Sequence, residues 1–164
     1  MKAIFIDAEK HEIREVEYSQ KGENDLPTLQ NLLDGWIDLA FRFPNGDVLF
    51  VDEEGYLKPT MNFFCCSFRT DQPMAGNGVI VGREVEDEDE SYHTLDPTTS
   101  IEWLQSNIAW MTRAGFDRWA KENRDRPAGT ITVMGENGKA ETSPLYTYGD
   151  LHRGMGRKDD DPES

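Results

Sequence analysis

The chain has 164 residues, with 17 Lys and Arg against 32 Asp and Glu, for a formal charge of −15. At 18.7 kDa with 10% aromatic residues, it is large enough to bury a core and too aromatic to be disordered. No apolar run approaches the ~20 residues of a membrane-spanning helix, Met1-Lys2 leads into an apolar run that already ends at Asp7, unlike a secretory signal, and a pI near 4.5 argues against nucleic-acid binding through a basic surface.

The N-terminal part reads as strands around one helix. Ala3-Ile4-Phe5-Ile6 is a continuous apolar run, as in a strand covered on both faces. Ile13 to Tyr18 is a second strand completing an antiparallel hairpin. Val16 and Tyr18 share a face there and Ile13 is out of phase, which predicts a bulge or an early start. Pro27 suits the first turn of a helix, Leu29, Leu32 and Leu33 form its apolar stripe, and Gly35 ends it, giving a short helix over Pro27–Asp34. Trp36 to Phe43 alternates, with Ile37, Leu39, Phe41 and Phe43 on one face, and is the clearest strand in the chain. Asn45-Gly46 predicts a hairpin turn into Val48–Val51. Tyr56 to Arg69 is apolar but ambiguous, Pro73 to Gly78 reads as a loop, and Val79-Ile80-Val81 as a buried strand.

Glu84 to Glu90 holds six acids in seven residues. Such a run cannot bury itself and predicts an extended, solvated loop. Beyond it, Thr98-Thr99-Ser100 supplies N-cap hydroxyls, and Ile101, Leu104, Ile108 and Met111 recur at helical spacing, with Trp103 and Trp110 one heptad apart. A long helix to about Gly115, continued or kinked through Phe116–Asn123, is expected. Glu136-Asn137-Gly138 then marks a second hairpin. The expected organisation is a strand-rich core over 1–97, a helical segment over 98–126, a β-hairpin extension over 127–150 and a flexible tail over 151–164. The fold class is α+β: a mainly antiparallel sheet of five or six strands, a short N-terminal helix and a longer C-terminal helix.

Residues 1–58 carry a net −7, 59–97 a net −6, 98–126 a net +1 and 127–164 a net −3. The negative excess therefore sits on the strands and the tail. Such a field attracts basic partners and repels phosphates, although acidity also serves solubility or a saline habitat. Cys65 and Cys66 are adjacent, which suits neither a disulfide framework nor a zinc site and points to a reducing cytoplasm. Gly76 and Gly78 precede a strand that Gly82 closes, whereas the glycines of a dinucleotide loop follow one, so a tight turn is expected. The other reading of that stretch is a backbone-lined pocket built from Met74, Gly76, Asn77 and Gly78, with Arg113 and Arg118 as anion-binding cations. His11, His93 and His152 are scattered through polar stretches. No catalytic triad, metal box or phosphate loop emerges, so a non-enzymatic protein without cofactor or metal is expected.

Met1-Lys2-Ala3-Ile4-Phe5-Ile6-Asp7, Glu12-Ile13-Arg14-Glu15-Val16, Leu29-Gln30-Asn31-Leu32-Leu33-Asp34-Gly35-Trp36-Ile37, Asp52-Glu53-Glu54-Gly55, Asn62 and the stretch from Met74 to Gly82 occur in this order. The chain thereby resembles a family of small domains of unknown function encoded by phages, plasmids and conjugative elements, over about residues 1–105. Glu84–Glu90 and everything after about Phe116 depart from it. The resemblance supplies no catalytic residues. It implies a setting, mobile elements, in which small acidic accessory proteins antagonise host defence. The leading functional expectation is therefore a phage or mobile-element protein, working in the host cytoplasm, that binds a basic host protein of defence or nucleic-acid processing. Its contact would be an acidic surface at Glu84, Glu86, Asp87, Glu88, Asp89 and Glu90, imitating DNA rather than binding it. The alternative is a sponge for a small nucleotide signal, with a possible homodimer through the 98–126 helix.

Overall fold

A computed structural model describes residues 1–123, 129–134 and 140–145. In chain order, β1 (Lys2–Asp7) and β2 (Glu12–Glu17) form a hairpin, α1 (Leu29–Leu33) follows, and β3 (Ile37–Arg42) and β4 (Val48–Asp52) form a second hairpin. β5 (Asn62–Cys66) and β6 (Arg69–Ala75) make a third, β7 (Gly78–Val81) follows, and β8 (Glu84–Glu86) pairs with β9 (Tyr92–Thr94). The chain then runs through α2 (Ile101–Asn107), β10 (Ile108–Thr112) and α3 (Arg113–Glu122).

Residues 1–116 form one compact unit. Its centre is a five-stranded antiparallel sheet, β2-β1-β7-β4-β3. Register explains why these strands read as continuous apolar runs. Ile4, Ile80 and Leu49 form one row across β1, β7 and β4, and Phe5, Val79 and Phe50 form the next row on the opposite face. The first face belongs to a cluster with Phe64, Cys66 and Met74 of the three-stranded sheet β10-β5-β6 and with Leu104 of α2. The second face is covered by Leu29, Leu32 and Leu33 of α1. A sheet with apolar cover on both sides has no polar face to show as alternation.

That double burial corrects the reading of β2. Its register runs unbroken from Lys2 opposite Glu17 to Asp7 opposite Glu12, with no bulge. Ile13 is out of phase because it serves the first face, beside Ile4 and Ile6, while Val16 and Tyr18 serve the second. The opposite correction applies to β3. Its alternation hides a register shift between Leu39 and Phe41. Ile37 packs on the second face, but Ala40, Phe41 and Phe43 belong to the first, because one extra residue moves the following side chains across the sheet.

α1 starts at Leu29, two residues later than Pro27 suggests. Thr28 is its cap: the hydroxyl accepts from the Asn31 N–H at 3.2 Å, and the Asn31 side chain accepts from the Thr28 N–H at 3.0 Å. The Pro73–Gly78 loop is likewise corrected: Gln72 to Ala75 belong to β6. β6 lies at a sheet edge, where a proline costs no ladder bond.

The largest correction concerns the long helix over 98–126. Helix α2 ends at Asn107, five residues of strand follow, and a separate helix begins at Arg113. The Asn107 amide donates back to the Trp103 carbonyl at 2.7 Å, while its own carbonyl accepts from the Ser67 N–H at 2.9 Å. The chain is thereby turned alongside β5, and Ile108 to Thr112 pair with Cys66 to Asn62. Ile, Trp and Thr favour a pleated, half-buried strand. Leu104 and Ile108 do share one core cluster, but they reach it from two different elements. The homodimer expected through a continuous helix loses that premise.

Residues 117–164 form a second unit, in which β11 (Gly129–Met134) pairs with β12 (Ala140–Leu145). The Asn137-Gly138 turn, His152 and the expected 151–164 tail lie outside the described residues. No described helix is long and apolar enough to cross a membrane. Cys65 is a free thiol, and burial pushes it above its ordinary pKa.

Candidate functional site

The acidic run is a hairpin, which corrects the expected extended loop. Glu84, Val85 and Glu86 pair with Thr94, His93 and Tyr92. The turn is closed by Asp87 N–H donating to Ser91 O at 2.8 Å and Glu90 N–H donating to Asp87 O at 3.0 Å, with Glu90 left-handed at φ 62°. Two carboxylates brace it from within. Asp87 meets His93 Nδ1 at 2.8 Å. Asp89 accepts from both the hydroxyl and the N–H of Ser91, at 2.5 and 3.1 Å. These Ser91 bonds, the hydroxyl first, hold the Asp89 carboxyl below its ordinary value. Glu84, Glu86, Glu88 and Glu90 are exposed.

The hairpin is fastened to the sheet beside further acids. Leu95 N–H donates to Arg83 O at 2.9 Å, and Asp96 accepts from the Lys2 N–H at 3.1 Å. The Lys2 ammonium is raised above its ordinary pKa by its bond with Glu15, at 3.1 Å, and by the fields of Asp96 and Glu17. Tyr18 is also pushed up, first by burial, against a hydrogen bond from Thr94, with Asp96 and Glu84 adding to the rise. Glu15 and Glu17 of β2 and Asp96 at the base of the hairpin thus act together on Lys2.

The residues of the alternative ligand loop are placed differently. Met74 is 1% exposed and belongs to the core. Gly76 donates to Asn62 O at 3.0 Å, the Asn77 side chain accepts from the Ala8 N–H at 2.9 Å, and Gly78 is buried. Arg113 lies over the rings of Phe63 and Phe116 and donates to Thr60 O at 3.3 Å. Arg118 belongs to the second unit. The structure uses the backbone and side chains of this loop to lock β7 in place.

A cavity of about 490 Å³ opens elsewhere, on the α1 face of the five-stranded sheet. Val48, Phe50 and Val81 form its floor, and Leu29 and Tyr18 its walls. Arg42, Arg83 and Glu84 stand around it, with Gln20 and Thr94. Sequence reading passed over Arg42 and Arg83. Arg42 lies on the polar side of an alternating strand, and Arg83 follows a buried strand, so neither belongs to a motif. A smaller cavity of about 260 Å³ lies where His11 stacks on Trp110 at 5.1 Å. Of the other tryptophans, Trp36 is 65% exposed, and Trp103 stacks on Phe68 at 5.4 Å. Among the described residues no group of three or more His, Cys, Asp or Glu is placed to hold a metal ion.

Two segments that carry the family resemblance meet at one corner of the sheet. The Asp52 carboxylate accepts from Lys58 Nζ at 2.6 Å and from the Glu54 N–H at 3.0 Å, and Lys58 also donates to Asp34 O at 2.6 Å. Gly35 is squeezed against this pair, since a Cβ there would lie 2.4 Å from the Asp52 carboxylate. This corner is packed scaffolding that joins α1 to the turn after β4.

The fold defines a mixed α+β protein of mostly antiparallel sheets with apolar cover on both faces of the central one. The chain belongs to the family described as a domain of unknown function, DUF3846, whose model matches residues 1–106. The match closes within α2, so β10 lies beyond it while pairing with β5 inside it. No curated protein and no solved structure matches the chain.

Proposed function

We propose that this chain is a non-enzymatic binding protein that docks on a basic, phosphate-binding surface of a partner protein and blocks it. The contact is the β8–β9 hairpin together with the acidic edge around Lys2. The observation that carries the reading is the bracing of the Asp87–Ser91 turn. Asp87 and Asp89 spend their carboxylates on His93 and Ser91, and four glutamates remain exposed on a fixed frame. A preorganised charge array loses less entropy on docking than a loose acidic loop, and it steers a basic partner over a distance set by salt. The family resemblance supports a mobile-element setting, with a host defence or nucleic-acid-processing enzyme as the partner in the host cytoplasm.

The test immobilises the full chain and compares it with a Glu84→Gln, Glu86→Gln, Glu88→Gln, Glu90→Gln variant, which keeps both bracing aspartates. Basic proteins retained from a host lysate at about 50 mM salt are expected to fall away by about 500 mM, to be displaced by duplex DNA, and to be missed by the variant. Retention indifferent to salt and to the four substitutions, in a variant with unchanged thermal unfolding, removes the proposal.

A further inference from the structure

We propose that the cavity on the α1 face binds a mononucleotide, with the phosphate between Arg42 and Arg83 and the base on the Val48, Phe50 and Val81 floor. Register builds the site. Arg42, Val48 and Val81 stand side by side across β3, β4 and β7 on one face, so the first guanidinium rises from the edge of an apolar floor. Arg83 follows Val81 by two residues and is laid across the turn that joins β3 to β4. A Cβ on Gly46 would lie 3.0 Å from the Cβ of Arg83, so the bare glycine is what lets this arginine lie there.

Neither guanidinium has a hydrogen-bond or ion-pair partner among the described residues. In a chain of −15, two arginines facing one cavity without a carboxylate on either is a specific arrangement. Guanidinium forks match the oxygens of a phosphate, two bonds at a time. The volume is of the order that small-ligand sites occupy, and an apolar floor with a few polar groups at the rim is their usual composition.

The remaining rim groups narrow the class. Glu84 accepts hydrogen bonds and repels a second anionic group, so it favours a single phosphate over a polyphosphate. Gln20 and Thr94 offer partners to hydroxyl and ring amino groups. A fatty acid would leave all three without a donor or acceptor to meet, at the cost that burying unpaired polar groups carries. A mononucleotide supplies phosphate, hydroxyls and a flat ring together.

The experiment titrates the full chain with AMP, GMP, CMP and UMP, with inorganic phosphate and decanoate as separate arms, by calorimetry and thermal shift. At least one mononucleotide is expected to bind and raise the melting temperature at millimolar concentration. The Arg42→Ala, Arg83→Ala variant is expected to bind about tenfold more weakly or worse. Arg42→Lys, Arg83→Lys is expected to fall between, since it keeps the charge and loses the fork. Both arginines are exposed, and the unliganded melting temperature of each variant checks that it is folded. The inference is overturned if no mononucleotide binds at about 5 mM, if phosphate alone or decanoate binds as tightly, or if the folded alanine variant binds unchanged. Glu86 to Glu90 do not line the cavity, so such a failure leaves the docking proposal untouched.

Discussion

Two hairpin turns of this protein share one backbone and differ in charge and burial. Between β3 and β4, Gly46 N–H donates to Phe43 O and Phe43 N–H to Asp47 O. Between β8 and β9, Glu90 N–H donates to Asp87 O and Asp87 N–H to Ser91 O. Each is a three-residue loop whose last position is left-handed, at φ 95° for Gly46 and 62° for Glu90. The first obeys local chemistry. Proline opens it, glycine takes the left-handed position, and Asp47 turns inward, 2% exposed, to accept from the N–H groups of Thr98 and Thr99, the Thr99 hydroxyl and the Asn45 amide at 2.6 to 3.1 Å. That carboxylate fastens the segment leading to the Ser100 cap of α2. The second places Glu-Asp-Glu where Pro-Asn-Gly would be easier, and it faces solvent. A turn that accepts strain and self-repulsion without gaining burial is where a surface function is expected to reside.

Substitutions sharpen this contrast. The largest effect is expected from Asp47→Ala, which strands the Thr98 and Thr99 N–H groups and weakens the tie between the segment leading to α2 and the β3–β4 turn. A loss of about 3 kcal/mol is expected in denaturant unfolding, and a loss below about 1 kcal/mol would show that the inward carboxylate is not what holds this turn. Gly46→Ala is next, at roughly 2 kcal/mol, from its left-handed backbone and its approach to Arg83. Glu90→Gly should go the other way and stabilise by roughly 0.5 kcal/mol, because it relieves left-handed strain but adds freedom to the unfolded chain. If Glu90→Gly is neutral or destabilising, the second turn is not strained as its backbone implies.

The smallest effect is a pH response confined to the second turn. The Asp89 carboxyl is held below its ordinary value of 3.8 by Ser91. A depressed carboxylate contributes its bonds fully above the ordinary value and loses them as pH falls through the folded one. The Ser91 amide, followed by NMR through that acid window, should lose its hydrogen bond to Asp89. A Ser91 amide that does not respond would mean the bracing is absent in solution.

The parts of this fold legible in the sequence were those that depend on neighbours along the chain. Asn45-Gly46 specified a hairpin, although only Gly46 takes a positive φ, since Pro44 opens a three-residue turn where a two-residue one is the simplest reading. Val79–Val81 read correctly as a buried strand. Ile101 to Met111 did not read correctly, because helical spacing and a helix followed by a strand place Leu104 and Ile108 in the same core equally well. Only the pairing of Ile108–Thr112 with β5 separates the two. The acidic run was visible as charge, but its hairpin was not, because Glu90 stands where a glycine would have signalled the turn.

Local chemistry along the chain determined that this would be an acidic α+β protein with apolar strands, one short leucine-faced helix and a glycine turn after Phe43. Tertiary structure decided which face each residue serves, that the longest apparent helix is broken by a strand, and that Arg42 and Arg83 come to one cavity from separate parts of the chain. The reason is that side-chain period and backbone propensity act over a few residues. Sheet register and helix termination are settled by partners such as Cys66 for Ile108, or Ser67 for Asn107, that lie about forty residues away in the chain.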